Sequence, residues 1–151
     1  MSLTLLIDSD RHSRLRLAMG LTGAGLQVAE ASDGADALRV LFDQRPDAAV
    51  LDLATAAGGI ELLRTLRVAG HLPIIALTDE RDPAEVARAL EAGADDVLPR
   101  TCGRQEFLAR LRAAVRRREH HAAGPTRLVQ ISGLVVDRTR ASLQATVSPQ
   151  L

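Results

Sequence analysis

Short apolar runs alternate along the chain with stretches whose apolar residues return at helical spacing. Leu5-Leu6-Ile7 is the first buried-strand run. A helix over 11–22 follows, with Leu15, Met19 and Leu21 near helical spacing and Gly23 and Gly25 to close it. Gln27-Val28-Ala29 reads as a second, weaker strand. Gly34 opens a helix over 35–44, with Leu38 and Leu41 inward, and Pro46 stops it. Ala48-Ala49-Val50-Leu51 is the third strand, and the Gly58-Gly59 turn leads to a helix over 60–68. Pro73 precedes a fourth strand, Ile74-Ile75-Ala76-Leu77. A helix over 83–91 is closed by Gly93, Val97-Leu98 is a short fifth strand, and a last long helix covers 104–118.

Five strand–helix units in 118 residues predict an α/β fold, a parallel sheet covered on both faces. In such sheets the working site lies beyond the carboxyl ends of the strands. That rule singles out Asp8, Asp10, Asp52, Thr78 and Arg100, each just after an apolar run. Polar groups from four strand ends then meet at one rim.

After the last helix, residues 119–127 read as a linker around Gly124-Pro125. Beyond it, 128–131 and 134–136 read as two short strands joined near Gly133, with a third around 143–147. This piece is too short to bury a core of its own.

Composition sharpens the picture. With two Phe and no Trp or Tyr, the core has to be built from Leu, Val, Ile and Ala. All 19 basic residues are arginines, so no lysine is available for any role. Formal net charge is zero, but residues 1–99 carry −7 and residues 100–151 carry +7. The asymmetry points to an acidic site in the first part and either a basic partner surface or a solvated arginine-rich helix in the second. The single cysteine, Cys102, excludes an internal disulfide and fits a reducing cytoplasm. No apolar run is long enough to cross a bilayer, and Asp8 and Asp10 interrupt any signal-peptide core. A cytoplasmic location without membrane contact is therefore expected. The four histidines show no metal-ligand spacing with Cys102 and read as surface residues.

A carboxylate that accepts a phosphoryl group needs a cation to offset the incoming charge, a hydroxyl donor for one phosphoryl oxygen and a basic side chain for another. Asp52, the carboxylates Asp8 and Asp10, Thr78 and Arg100 offer those groups. Residues 3–118 resemble the receiver domain of bacterial response regulators. The resemblance rests on 5–10 (LLIDSD), 30–34 (EASDG), 49–53 (AVLDL), 59–63 (GIELL), 73–78 (PIIALT) and 90–96 (LEAGADD), in order and at family spacing. It implies a flavodoxin-like (CheY-like) doubly wound sheet of order 2-1-3-4-5 with five helices. Function would be that of a two-component response regulator: a phosphorelay signalling protein controlling transcription, not an enzyme. The resemblance puts Asp52 at the phosphoacceptor position, with Thr78 and Arg100 beside it, and would make Asp8 and Asp52 the ligands of a magnesium ion. A sensor histidine kinase is the implied phosphodonor.

Several positions depart from the family pattern. Ser9 stands where the second of two adjacent acids is usual, and Asp10 serves better as the cap of the first helix than as a substitute ligand. Arg100 replaces the family lysine, keeping the charge but not its compact geometry. Thr101 replaces the following proline, so the usual cis peptide is not expected. Val97 replaces the switch aromatic. Asp79 adds charge after Thr78. Each of the first two changes weakens charge stabilisation by about 1 kcal/mol or more. The expectation is an atypical receiver with a weakened magnesium site, phosphorylated weakly or not at all. The alternative keeps the fold as a phosphorylation-independent dimerisation or ligand-sensing module, because Arg100 can neutralise the carboxylates without a metal. A distant alternative, a haloacid-dehalogenase-like phosphatase, rests on Asp8-Ser9-Asp10, Thr78 and Asp95-Asp96, but lacks its lysine and leaves Asp52 idle.

Glu106, Arg110 and Arg117 share one face of the last helix by spacing. In OmpR/PhoB-type regulators this resembles the charged face of a two-fold homodimer formed by the fourth helix, fifth strand and fifth helix. The implied intersubunit pairs are Asp96 with Arg110 and Asp95 with Arg117. Val86 stands where a basic partner for Glu106 is usual. Residues 128–151 resemble, through 133–137 (GLVVD), the opening strands of a winged-helix output domain. No recognition helix follows, so DNA binding is expected only through an output domain missing from this chain.

Overall fold

All five apolar runs become strands, and a helix follows each one. The computed structural model of the chain describes residues 2–55, 58–79 and 82–123. The order is β1 (Leu3–Ile7), α1 (Arg11–Gly23), β2 (Gln27–Ala31), α2 (Gly34–Gln44), β3 (Ala48–Asp52), α3 (Gly59–Ala69), β4 (Ile74–Thr78), α4 (Pro83–Ala92), β5 (Asp96–Pro99) and α5 (Arg104–Ala123). The strands form one parallel sheet of order β2-β1-β3-β4-β5. This is the doubly wound CheY-like topology. Two units divide the chain, Met1–Val115 and Arg116–Leu151. The first holds the sheet and the body of α5; the described part of the second is the end of that helix. The expected linker residues 124–127 and the winged-helix strands of 128–151 lie outside the described residues.

Strand alternation sorts the core into two layers. Leu5, Ile7, Ala49, Leu51, Ile74, Ala76 and Val97 pack on one face with α2, α3 and α4. Leu6, Val50, Ile75, Leu77 and Leu98 pack on the other with α1 and α5, where Leu21, Phe107 and Leu111 meet them. Every residue of β3 and β4 is buried. Each fully buried leucine or isoleucine contributes about 1.5–3 kcal/mol. Aliphatic side chains make up most of the core, and Phe107 adds one aromatic that the composition alone did not place there.

Local signals set the helix ends. Asp10, Asp33 and Asp82 are N-caps whose carboxylates accept from His12 N, Asp36 N and Ala84 N, and Pro83 sits in the first turn of α4; each cap contributes about 1 kcal/mol. Gly93 closes α4 at φ 123°, a conformation that needs glycine. A Cβ on Gly59 would fall 2.6 Å from Leu53 Cα, so only glycine lets α3 start this close to the end of β3. α5 is longer than expected. It continues through residues 119–123, which the sequence reading gave to the linker. The physical reason is that the first helix-breaking pair, Gly124-Pro125, comes only after them. In α1, Leu21 is buried whereas Leu15 and Met19 are exposed.

Candidate functional site

The alternation that sorts the core also sorts the polar residues at the strand ends. Asp8 lies two positions beyond Leu6, Asp52 two beyond Val50 and Arg100 two beyond Leu98, all on the α1–α5 face. Thr78 lies two beyond Ala76, on the α4 face. The structure follows this rule. Asp8, Asp52 and Arg100 meet, while Thr78 engages α4.

Asp8 is fully buried and Asp52 is 2% exposed. Two carboxylates out of water are costly unless paired or neutralised. The Arg100 guanidinium is their shared counter-charge. Its Nη2 donates to Asp52 Oδ2, and its Nη1 lies 3.8 Å from Asp8 Oδ2. Nη1 also donates to the hydroxyl of Ser13 on α1. The Nε lies 2.6 Å from the exposed Asp79, yet is not aligned to donate to it. Backbone groups complete the carboxylates: Asp10 N donates to Asp8 Oδ1 at 2.9 Å and Ala54 N to Asp52 Oδ1 at 3.1 Å. Asp8 Oδ2 accepts no hydrogen bond. Arg14 holds the end of β1 from outside, donating to the Asp8 carbonyl and to Glu30.

Thr78 is buried, and its hydroxyl donates to Glu85 Oε1 on α4. Sequence reasoning missed Glu85. Its signal was Asp82-Pro83-Ala84-Glu85, which has the form of a capping box. Asp82 does cap the helix, but Glu85 turns to the strand end instead. Ser13 was missed as well, because a hydroxyl three residues after a cap looks like an ordinary first-turn residue.

The charged face of α4, β5 and α5 has its own pairing. Arg110 Nη1 lies 3.2 Å from Asp96 Oδ2, and Arg110 Nε lies 3.0 Å from Glu106 Oε2, both within one chain. Asp95 turns away from that face. Its carboxylate accepts from Arg67 on α3 and from Ile74 N. Arg67 also donates to the carbonyls of Gly93 and Leu72, tying α3 to the end of α4 and the start of β4. Arg117 belongs to the second unit.

Receiver domains typically bind magnesium. The unbonded Asp8 Oδ2 is the one feature here that invites a cation. Against it, Arg100 lies on Asp52 Oδ2, Asp10 is turned to its cap, and Ser9 supplies no carboxylate. No group of three or more His, Cys, Asp or Glu that could hold a metal occurs among the described residues. As arranged, the residues do not fit the ion.

The doubly wound parallel sheet thus carries two buried acids, Asp8 and Asp52, at its carboxyl edge. Residues 4–112 match the family described as response regulator receiver domain, and the chain belongs to that family. It is a signalling domain rather than an enzyme, which sets aside the phosphatase alternative. The chain is 40% identical over 138 residues to the transcriptional regulatory protein KdpE of Mycobacterium tuberculosis, covering 91% of this chain and 61% of that protein. It is 39% identical over 136 residues to the transcriptional regulatory protein AfsQ1 of Streptomyces coelicolor, covering 89% and 59%. It thus spans about three fifths of the length of these relatives. Among solved structures, the BeF3-activated N-terminal receiver domain of RstA from Klebsiella pneumoniae superposes with a TM-score of 0.71 at 28% identity, covering 76% of this chain and 98% of that one. No helix among the described residues is long and apolar enough to cross a membrane.

Proposed function

We propose that this chain is the receiver part of a cytoplasmic two-component transcriptional regulator, and an atypical one in which Arg100 does the work of a metal. Asp52 is the phosphoacceptor position. The single observation that carries the reading is the guanidinium of Arg100 bonded to the Asp52 carboxylate. A carboxylate oxygen held by a fixed cation is a poorer nucleophile, and the position that a divalent ion needs is crowded by a monovalent one. Ser9 in place of an acid and Glu85 on the Thr78 hydroxyl support the same conclusion. Magnesium binding is weakened, and phosphoryl transfer from a sensor histidine kinase to Asp52 is slow or absent. DNA would be contacted only by an output domain, toward which 128–151 is the first stretch. Residues 1–118 form the receiver and 119–127 the connection, helical at its start.

The test is incubation with acetyl phosphate and magnesium, read by intact mass. Transfer would join phosphorus to an Asp52 oxygen and release acetate. Little or no acyl phosphate is expected, and stoichiometric modification would overturn the reading.

A homodimer through α4, β5 and α5 is part of the proposal. Asp96, Glu106 and Arg110 supply a charged face on one element set, with Arg117 further along α5. Asp95 would join only by leaving Arg67. Pairs of this kind contribute little singly but fix partner orientation. Arg110→Glu is expected to halve the mass seen by light scattering; an unchanged mass would remove this interface. The phosphorylation-independent reading, a dimerisation or ligand-sensing module, draws on the same Arg100 observation.

A further inference from the structure

We propose that the groove between α1 and the turn from β5 into α5 binds a small anionic amphiphile, an apolar body ending in a carboxylate or similar group. The cavity has a volume of about 210 Å³, below the range of roughly 300–1,000 Å³ usual for drug-sized ligands, so its occupant is small. Leu21, Leu77 and Phe107, all buried, give it an apolar wall. Arg16, Arg100 and Arg104 also line it, and no acidic residue does among the described ones. The wall of the groove is mainly apolar and three arginines border it, a combination that complements an apolar body ending in a negative head.

The opening has a structural cause. Gly20 lies inside α1, where alanine would favour the helix by about 1 kcal/mol. A Cβ there would meet nothing within 4 Å. The position is therefore not glycine for want of room. It leaves open the space that the groove occupies.

Arg100 is common to this groove and to the buried acids. An anion in the groove draws on the same guanidinium that Asp52 uses. Binding there and the Asp52 pair oppose each other, and the opposition is reciprocal. This coupling rests on Arg100 serving as the counter-charge of Asp52; the groove itself does not depend on it. Occupancy would loosen Asp52 from its internal cation and so report a metabolite at the signalling carboxylate.

The probe is octanoate, with octanol and octylamine as controls, titrated into the full chain and followed by amide chemical shifts. Octanoate is expected to shift Gly20, Leu21, Leu77 and Phe107 saturably. Octanol should bind at least about tenfold more weakly, a difference of about 1.4 kcal/mol, and octylamine should leave the shifts unchanged. Gly20→Leu should abolish the response, and Arg16→Ser with Arg104→Ser should reduce it to the level of octanol. Asp52→Asn should tighten octanoate several-fold by releasing Arg100. Absence of saturable shifts, equal binding of octanol, or full affinity in both the Gly20 and the arginine variants would overturn the site. Unchanged affinity in Asp52→Asn would overturn the coupling alone. Efficient phosphorylation of Asp52 would defeat the earlier reading of the acid cluster and leave the octanoate outcomes as they stand.

Discussion

Arg100 donates from Nη2 to the outer carboxylate oxygen of Asp52 across 48 positions of sequence. The contact joins the ends of β3 and β5, which are not neighbours in the sheet, over the top of β4. A long side chain is what makes that reach, and it delivers a permanent positive charge to a carboxylate that is almost wholly buried.

Arg100→Ala leaves Asp52 and Asp8 buried without their cation. Removing one partner of a buried pair costs several kcal/mol, so a loss of about 3 kcal/mol is expected in urea unfolding. Adding Asp52→Asn to that variant should recover part of the loss. Purely additive effects would mean the two side chains are not coupled.

Ser9→Asp with Arg100→Lys restores an adjacent acid and a compact ammonium. Magnesium affinity is expected to rise by about tenfold or more, equivalent to about 1.4 kcal/mol. Calorimetric titration of the double variant against the parent chain checks this. Equal affinities would mean that neither position limits the ion.

Arg67→Ala removes the donors to Gly93, Leu72 and Asp95 together. The expected cost is about 2–4 kcal/mol, since the Asp95 carboxylate is then left nearly buried without its cation. Asp95→Asn should lower thermal stability by less and leave the oligomeric mass unchanged. A change of mass in that variant would instead place Asp95 in an interface.

Burial pushes the Cys102 thiol above its ordinary value near 9.0, and the neighbouring Glu106 carboxylate pushes it further in the same direction. The folded state thus favours the protonated thiol. Its contribution to stability is full below that ordinary value and is lost as pH rises through the higher folded one. Iodoacetamide should therefore alkylate Cys102 several-fold more slowly at pH 8 than a free thiol, with the rate climbing only in more alkaline solution. A rate matching the free thiol would contradict this.

Much of the fold was legible because the strands carry short apolar runs, from Val97-Leu98 to Ala48-Ala49-Val50-Leu51, set between stretches of helical spacing. Strand ends were less so. β3 and β4 extend one residue further, onto Asp52 and Thr78, because sheet hydrogen bonding does not stop where hydrophobicity does. In α1, helical spacing alone did not separate the buried Leu21 from the exposed Leu15 and Met19. At the site, Asp8, Asp52 and Arg100 could be placed together from strand ends. Glu85, Ser13 and Arg67 could not, since each looks like an ordinary helix residue until the packing of its helix sets its direction. Asp95 and Asp96 read as one acidic pair, yet they face opposite ways, as successive residues entering a strand must.

Arg14 grips the Asp8 carbonyl and Glu30 at once, while Asp10 N fixes the Asp8 carboxylate from the other side. One wall of the acid pocket is thereby clamped to the first two strands and has little freedom to follow a ligand. The opposite wall is a single side chain, Arg100 at the end of β5, held by Asp52 and Ser13. Before the Asp52 carboxylate can take any other partner at Oδ2, the Arg100 guanidinium has to leave it, so a response at this pocket starts from the β5 side.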